Sequence, residues 1–142
     1  GQIFFISKYN MHLCYQVKAD HRKPKWNSKV KSLWTAIEYH EIDIFSYGLI
    51  KSWITETSNK EIVWSFHRDS NENKILKIGE DHRNTKIKNL GLAKFTKDNN
   101  NTWHGYPIDP VTDPIPDEII QKWSKTIGVK LAQRINKGKI DI

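Results

Sequence analysis

The stretch EIVWSFHRDSNENKILKIG, residues 61–79, decides how this chain folds. Ile62, Trp64 and Phe66 fall on one side of an extended segment and Val63, Ser65 and His67 on the other, the two-residue period of a strand. The polar run 69–73 turns the chain. Residues 74–79 then alternate again, Leu76 and Ile78 against Ile75 and Lys77, and the two halves predict a β-hairpin. Working outward toward the N-terminus, 3–6 and 12–18 predict a second hairpin with its turn at 8–10, because Leu13, Tyr15 and Val17 alternate with His12, Gln16 and Lys18.

Elsewhere the period lengthens. Val30, Leu33, Trp34 and Ile37 fall at i, i+3, i+4 and i+7, one face of a helix that Asn27 or Ser28 can cap. Phe45, Leu49 and Trp53 predict a second helix from a cap at Asp43 to about Glu56, with Gly48 against it. A short helix over 85–95 would start at Thr85 and turn Ile87, Leu90 and Ala93 inward, with Gly91 again unfavourable. Residues 98–102 read as a turn. Four of the chain's five prolines lie in 107–116, which predicts an extended connector without a regular ladder.

The C-terminal segment carries the clearest helical signal. Asp117 and Glu118 open it, Ile120, Trp123 and Ile127 form its stripe, and Gly128 breaks it. A second helix then runs through Leu131 and Ile135 to Gly138. Acid at the start and base at the end suit the helix dipole. Together these elements predict one α+β domain over 1–142: a small antiparallel sheet of two hairpins, packed with three to four helices and closed by a C-terminal helical pair.

Composition narrows the function classes. The chain has 142 residues with six tryptophans, too many large rings for a disordered segment. A single cysteine, Cys14, excludes an internal disulfide and a cysteine-based zinc site. No apolar run approaches the roughly 20 residues a spanning helix needs, so no membrane engagement is expected. The expected setting is a cytoplasm, native or reached by delivery. A formal net charge of +7 favours a polyanionic partner, RNA before DNA, or an acidic protein surface.

Three constellations carry candidate chemistry. Metal-independent RNA cleavage needs a base, an acid and a cation beside the developing phosphorane charge. The sequence offers His104 and His67 for the proton transfers, with Arg68 or Lys94 for the phosphate and Tyr106 beside them. Glycine between two rings in Trp103-His104-Gly105-Tyr106 is the most unusual local composition; its plainer reading is an aromatic anchor for the connector. For binding, Lys23, Lys25, Trp26 and Lys29 form a basic aromatic stretch, Arg83, Lys86 and Lys88 a second, and Lys130, Arg134 and Lys137 a third. The last lies on the C-terminal pair and also permits a helix-turn-helix reading, but Arg134 falls roughly where that motif wants an apolar residue.

No glycine-rich phosphate loop, HExxH or G-x-S-x-G occurs. Glu80-Asp81-His82 cannot all point at one ion from a regular element. No metal and no cofactor are therefore expected. The leading expectation is a nucleic-acid-engaging domain, with a ribonuclease of toxin or effector type as its sharper form and a protein-interaction module as the rival.

Overall fold

Strand pairing, more than helix formation, organises the chain. The computed structural model describes residues 2–8, 11–22 and 30–142. In chain order these form β1 (Ile3–Lys8), β2 (Met11–Gln16), a 3-10 turn (Ala19–His21), β3 (Leu33–Trp34), α1 (Glu38–Ile50), β4 (Ile54–Thr57), β5 (Lys60–Phe66), β6 (Arg68–Asp69), β7 (Lys74–Ile75), β8 (Gly79–Asp81), β9 (Lys88–Leu90), β10 (Leu92–Lys97), β11 (Thr102–Ile108), α2 (Asp117–Ile127) and α3 (Val129–Asn136). Among these residues no helix is long and apolar enough to cross a membrane.

The α+β class holds, but the sheet is larger than two hairpins and is mixed. Six strands run in the order β1-β2-β11-β10-β5-β4, and β2–β11 is parallel while the other neighbours are antiparallel. The first expected hairpin is present as β1–β2. The second is not, because β5 pairs with β4 and with β10, and the returning chain pairs only Arg68–Asp69 with Lys74–Ile75. Val63, Trp64, Ser65 and Phe66 are all buried, so β5 is an interior strand covered on both faces rather than half of a surface ribbon.

Two expected helices are strands. Leu33–Trp34 pairs with Gly79–Glu80, while Val30 and Ile37, the outer members of the supposed stripe, are exposed. Tertiary bonds decide the matter: the amides of Thr35 and Ala36 both donate to the Ile78 carbonyl, and Trp34 Nε1 donates to the Gly105 carbonyl at 3.1 Å. The 85–95 helix is replaced by β9 and β10, with Ile87 exposed and Gly91 buried where an added Cβ would meet Ile142 Cδ1 at 2.4 Å.

The second expected helix exists with shifted bounds. Asp43 lies inside α1, and Trp53 and Glu56 lie beyond it. The buried face of α1 is Glu41, Ile44, Phe45 and Gly48, a full i, i+3, i+4, i+7 set. The proline-rich segment begins later than expected, since Pro107 lies within β11 opposite Ala93. Missing its N–H is tolerable there because β2 pairs β11 only at Thr102 and Trp103.

Helices cover the sheet on both sides. α1 packs Ile44 and Phe45 against Tyr15, Val63, Ala93, Phe95 and Trp103. α2 and α3 pack Ile119, Trp123, Ile127, Ala132 and Ile135 against Trp64, Phe66, Leu92 and Ile108 on the opposite face. Gly128, at φ +93°, ends α2 as expected, and Gly138, at φ +68°, follows α3. Ile119 rather than Ile120 joins Trp123 and Ile127 on the buried stripe of α2. Among the described residues, the second face is covered only toward the Leu92 end: Phe5 and Ile3, which alternate with the inward-facing Phe4 and Ile6, stay exposed on it.

Candidate functional site

The uncovered part of the sheet ends in a small cleft built around His21. The chain leaves β2 through the 3-10 turn, and Arg22 fixes that turn from behind. Its guanidinium donates to Glu41 Oε1 at 2.7 and 3.2 Å and to the Ala36 carbonyl at 2.8 Å. Glu41 is fully buried and also accepts the Tyr15 hydroxyl at 2.5 Å. Burial raises the Glu41 carboxyl above its ordinary range, against the bonds from Tyr15 and Arg22 that hold it down.

In front of this anchor, His21 Nδ1 lies 2.8 Å from the Ser32 carbonyl. A carbonyl only accepts, so Nδ1 carries the hydrogen and Nε2 of the neutral ring is left as the basic nitrogen. The imidazole stacks on Tyr106, centroids 5.1 Å apart and planes 11° from parallel. Ser32 Oγ donates to the Pro107 carbonyl at 2.6 Å and so ties this segment to β11. His104 lies two residues before Tyr106 on the same face of β11, about 7 Å away along the strand.

Both imidazoles are held below the ordinary histidine pKa. For His21 the main cause is burial, opposed by the Ser32 carbonyl and by Asp20; for His104 it is burial, reinforced by Lys18 and opposed by Asp98. Burial, with Asp113 adding, raises Tyr106, which therefore stays protonated at neutral pH. The cleft beside this cluster measures about 260 Å³ and is lined by His21, Lys31, Arg83, Tyr106, Asp109 and Asp113 among others.

Several of its charges are paired. Lys31 bonds Asp20 at 2.9 Å, Arg83 bonds Asp81 at 2.8 Å, and Lys88 bonds the buried Asp109 at 2.8 Å. Lys18 has no carboxylate within 4 Å among the described residues. Arg83 of the second basic stretch thus lines one cleft with Lys31. Lys86, which lies beyond it, is exposed.

The remaining candidates divide. Lys94 sits directly opposite Tyr106 in the β10–β11 register. Its ammonium, however, is 5.0 Å from the centre of the Trp64 ring and 3.3 Å from Asp113, so it is occupied by the protein itself. His67 does not join His104. His104 is level with Thr96 and, through it, with Ile62, five residues before His67, which puts the two about 17 Å apart along the strands.

His67 and Arg68 instead line a separate cavity of about 410 Å³ with His40, Asp43 and Tyr47, where the rings of His40 and His67 meet edge-on at 5.7 Å. Arg68 is tied down there by donating to the Thr126 carbonyl at 2.6 Å. Lys130 and Arg134 on α3 and Lys137 just past its end are exposed, with Arg134 toward Asp141 at 3.9 Å. The inward residues of α3 are Ala132 and Ile135, so Arg134 does not face α2. Lys23, Lys25, Trp26 and Lys29 lie outside the described residues.

His21 is the residue the sequence reading missed. Its only local signal is the neighbouring Arg22, an adjacency it shares with His67-Arg68 and His82-Arg83. His82 itself bonds Glu80 at 2.8 Å. No family model matches the chain, and no curated protein or solved structure matches it either.

Proposed function

We propose that the chain engages RNA at the His21–His104–Tyr106 cluster and cleaves it there without a metal. The observation that carries this reading is the fixed His21 imidazole, stacked on Tyr106 and bonded to the Ser32 carbonyl, beside a second imidazole on the same sheet face and a cleft lined by Lys31 and Arg83. His21 Nε2 takes the 2′-hydroxyl proton, O2′ attacks phosphorus and the P–O5′ bond breaks. Protonated His104 supplies the proton to O5′, leaving a 2′,3′-cyclic phosphate and a 5′-hydroxyl. Lys18 offsets the charge that develops on the phosphoryl oxygens.

The test is total RNA incubated with the purified protein and a chelator. Cleavage with cyclic-phosphate ends, reduced about 10²-fold or more by His21→Ala and by His104→Ala, supports the reading. Intact RNA, or cleavage that survives both substitutions, overturns it. The rival, docking on an acidic protein, separates by product: it forms a stable complex and leaves RNA whole.

A further inference from the structure

We propose that the substrate is single-stranded, and that the exposed sheet face beside the cluster is its track, with Phe5 as a platform for an unpaired base. This rests on the RNA reading above and goes further by naming the form of RNA. Phe5 is 86% exposed, an unusual position for a phenylalanine on an otherwise well-packed sheet. Its place is set by pairing: Phe5 is opposite Cys14, and Cys14 is opposite Thr102, one row across three strands on one face. Two strand spacings, about 10 Å, and one two-residue step, about 7 Å, put the backbone positions of Phe5 and His104 roughly 12 Å apart.

The charge of this face fits a polyanion. Alternation from the buried Tyr15 and Val17 puts Cys14, Gln16 and Lys18 on it from β2 and its exit, and β10 and β11 add Thr96, Thr102, His104 and Tyr106; Lys94 is already held by Asp113, so Lys18 is the cation this face offers a phosphate. Among the described residues, no strand of the sheet turns an Asp or Glu to this side. Glu61 of β5 lies on the α1 side and pairs with Lys97 there. Such a surface accepts phosphates and offers a π-face to any base, the combination single strands need. A duplex keeps its bases stacked within and cannot use the ring.

The experiment measures binding of a short 2′-O-methyl oligouridylate, which lacks the attacking hydroxyl, and of a matching 2′-O-methyl duplex. Phe5→Ala is expected to weaken single-strand binding about 5- to 150-fold and leave duplex binding and the melting temperature unchanged, while Phe5→Tyr retains affinity. Unchanged single-strand affinity in Phe5→Ala, or an equal loss on duplex, overturns the platform while salt-dependent binding by the parent protein keeps the RNA reading standing. Binding of neither oligomer by the parent protein overturns both.

Discussion

Gly105→Ala tests why a glycine separates the two rings of the Trp103–Tyr106 segment. A Cβ at 105 would fall 2.1 Å from Phe95 Cδ1, 2.6 Å from Cε1 and 2.8 Å from Cγ. Phe95 is fully buried and in ring contact with Tyr15, Trp34 and Phe45, so it has no open direction to retreat. Overpacking of this kind costs about 1–3 kcal/mol. For a domain of this length that lowers Tm by about 3–12 °C. Phe95→Ala removes Cγ, Cδ1 and Cε1, the three atoms the methyl would strike, so in the double variant the two losses should be coupled favourably by about 0.5–3 kcal/mol. Calorimetric or denaturant melts of the four proteins measure this. A Gly105→Ala protein that melts like the parent, or a double variant whose losses simply add, refutes the steric account.

Cleavage should peak at weakly acidic pH. A base that must be neutral and an acid that must be charged, both held below 6.5 by burial, put both limbs of the kcat/KM profile below that value; an alkaline limb above it removes His104 from the donor's role. Stability should depend on Asp81, whose pKa is lowered chiefly by the Arg83 hydrogen bond. Its contribution is present above the unfolded pKa of about 3.8 and fades as pH falls through the lower folded value, so Asp81→Asn should flatten the acid side of a Tm-against-pH curve. The logarithm of single-strand affinity should fall with that of salt with a slope of about −2 if Lys18, Lys31 and Arg83 are the phosphate contacts, and about −4 if Lys23, Lys25 and Lys29 join them. A slope near zero removes phosphate recognition altogether.

The strands were legible where alternation was local, as in β2 and β5. The pairing was not, because β10 and β11 reach β5 and β2 from far along the chain. Helix α1 was displaced in the reading by Glu41, a carboxylate at a stripe position where an apolar residue is expected. Arg22 and Tyr15 make that burial tolerable, and neither is visible from within the helix. Leu33 and Trp34 misled in the opposite way: their helical spacing is real, yet the backbone there is claimed by Ile78 and Gly79. The C-terminal pair was legible because its breaker, dipole charges and stripe all agree.

The site was half legible for a related reason. His104 and Tyr106 stand two apart on one strand, so any extended reading puts them side by side. His21 reaches them only because β2 lies against β11 and the Arg22–Glu41 anchor turns the chain back over Tyr106. Net charge misleads about such a place, since Lys31, Arg83, Lys88 and Lys94 all meet carboxylates. What distinguishes the face is the side to which the acids turn: Glu61 toward α1, and Asp109 and Asp113 to the cleft wall, where they hold Lys88 and Lys94. With those cations occupied, Lys18 is the charge a phosphate on the sheet would meet first, joined by His104 when that ring is protonated. On the proposed reading, selectivity would then depend on proton chemistry and ring stacking more than on the excess of lysine.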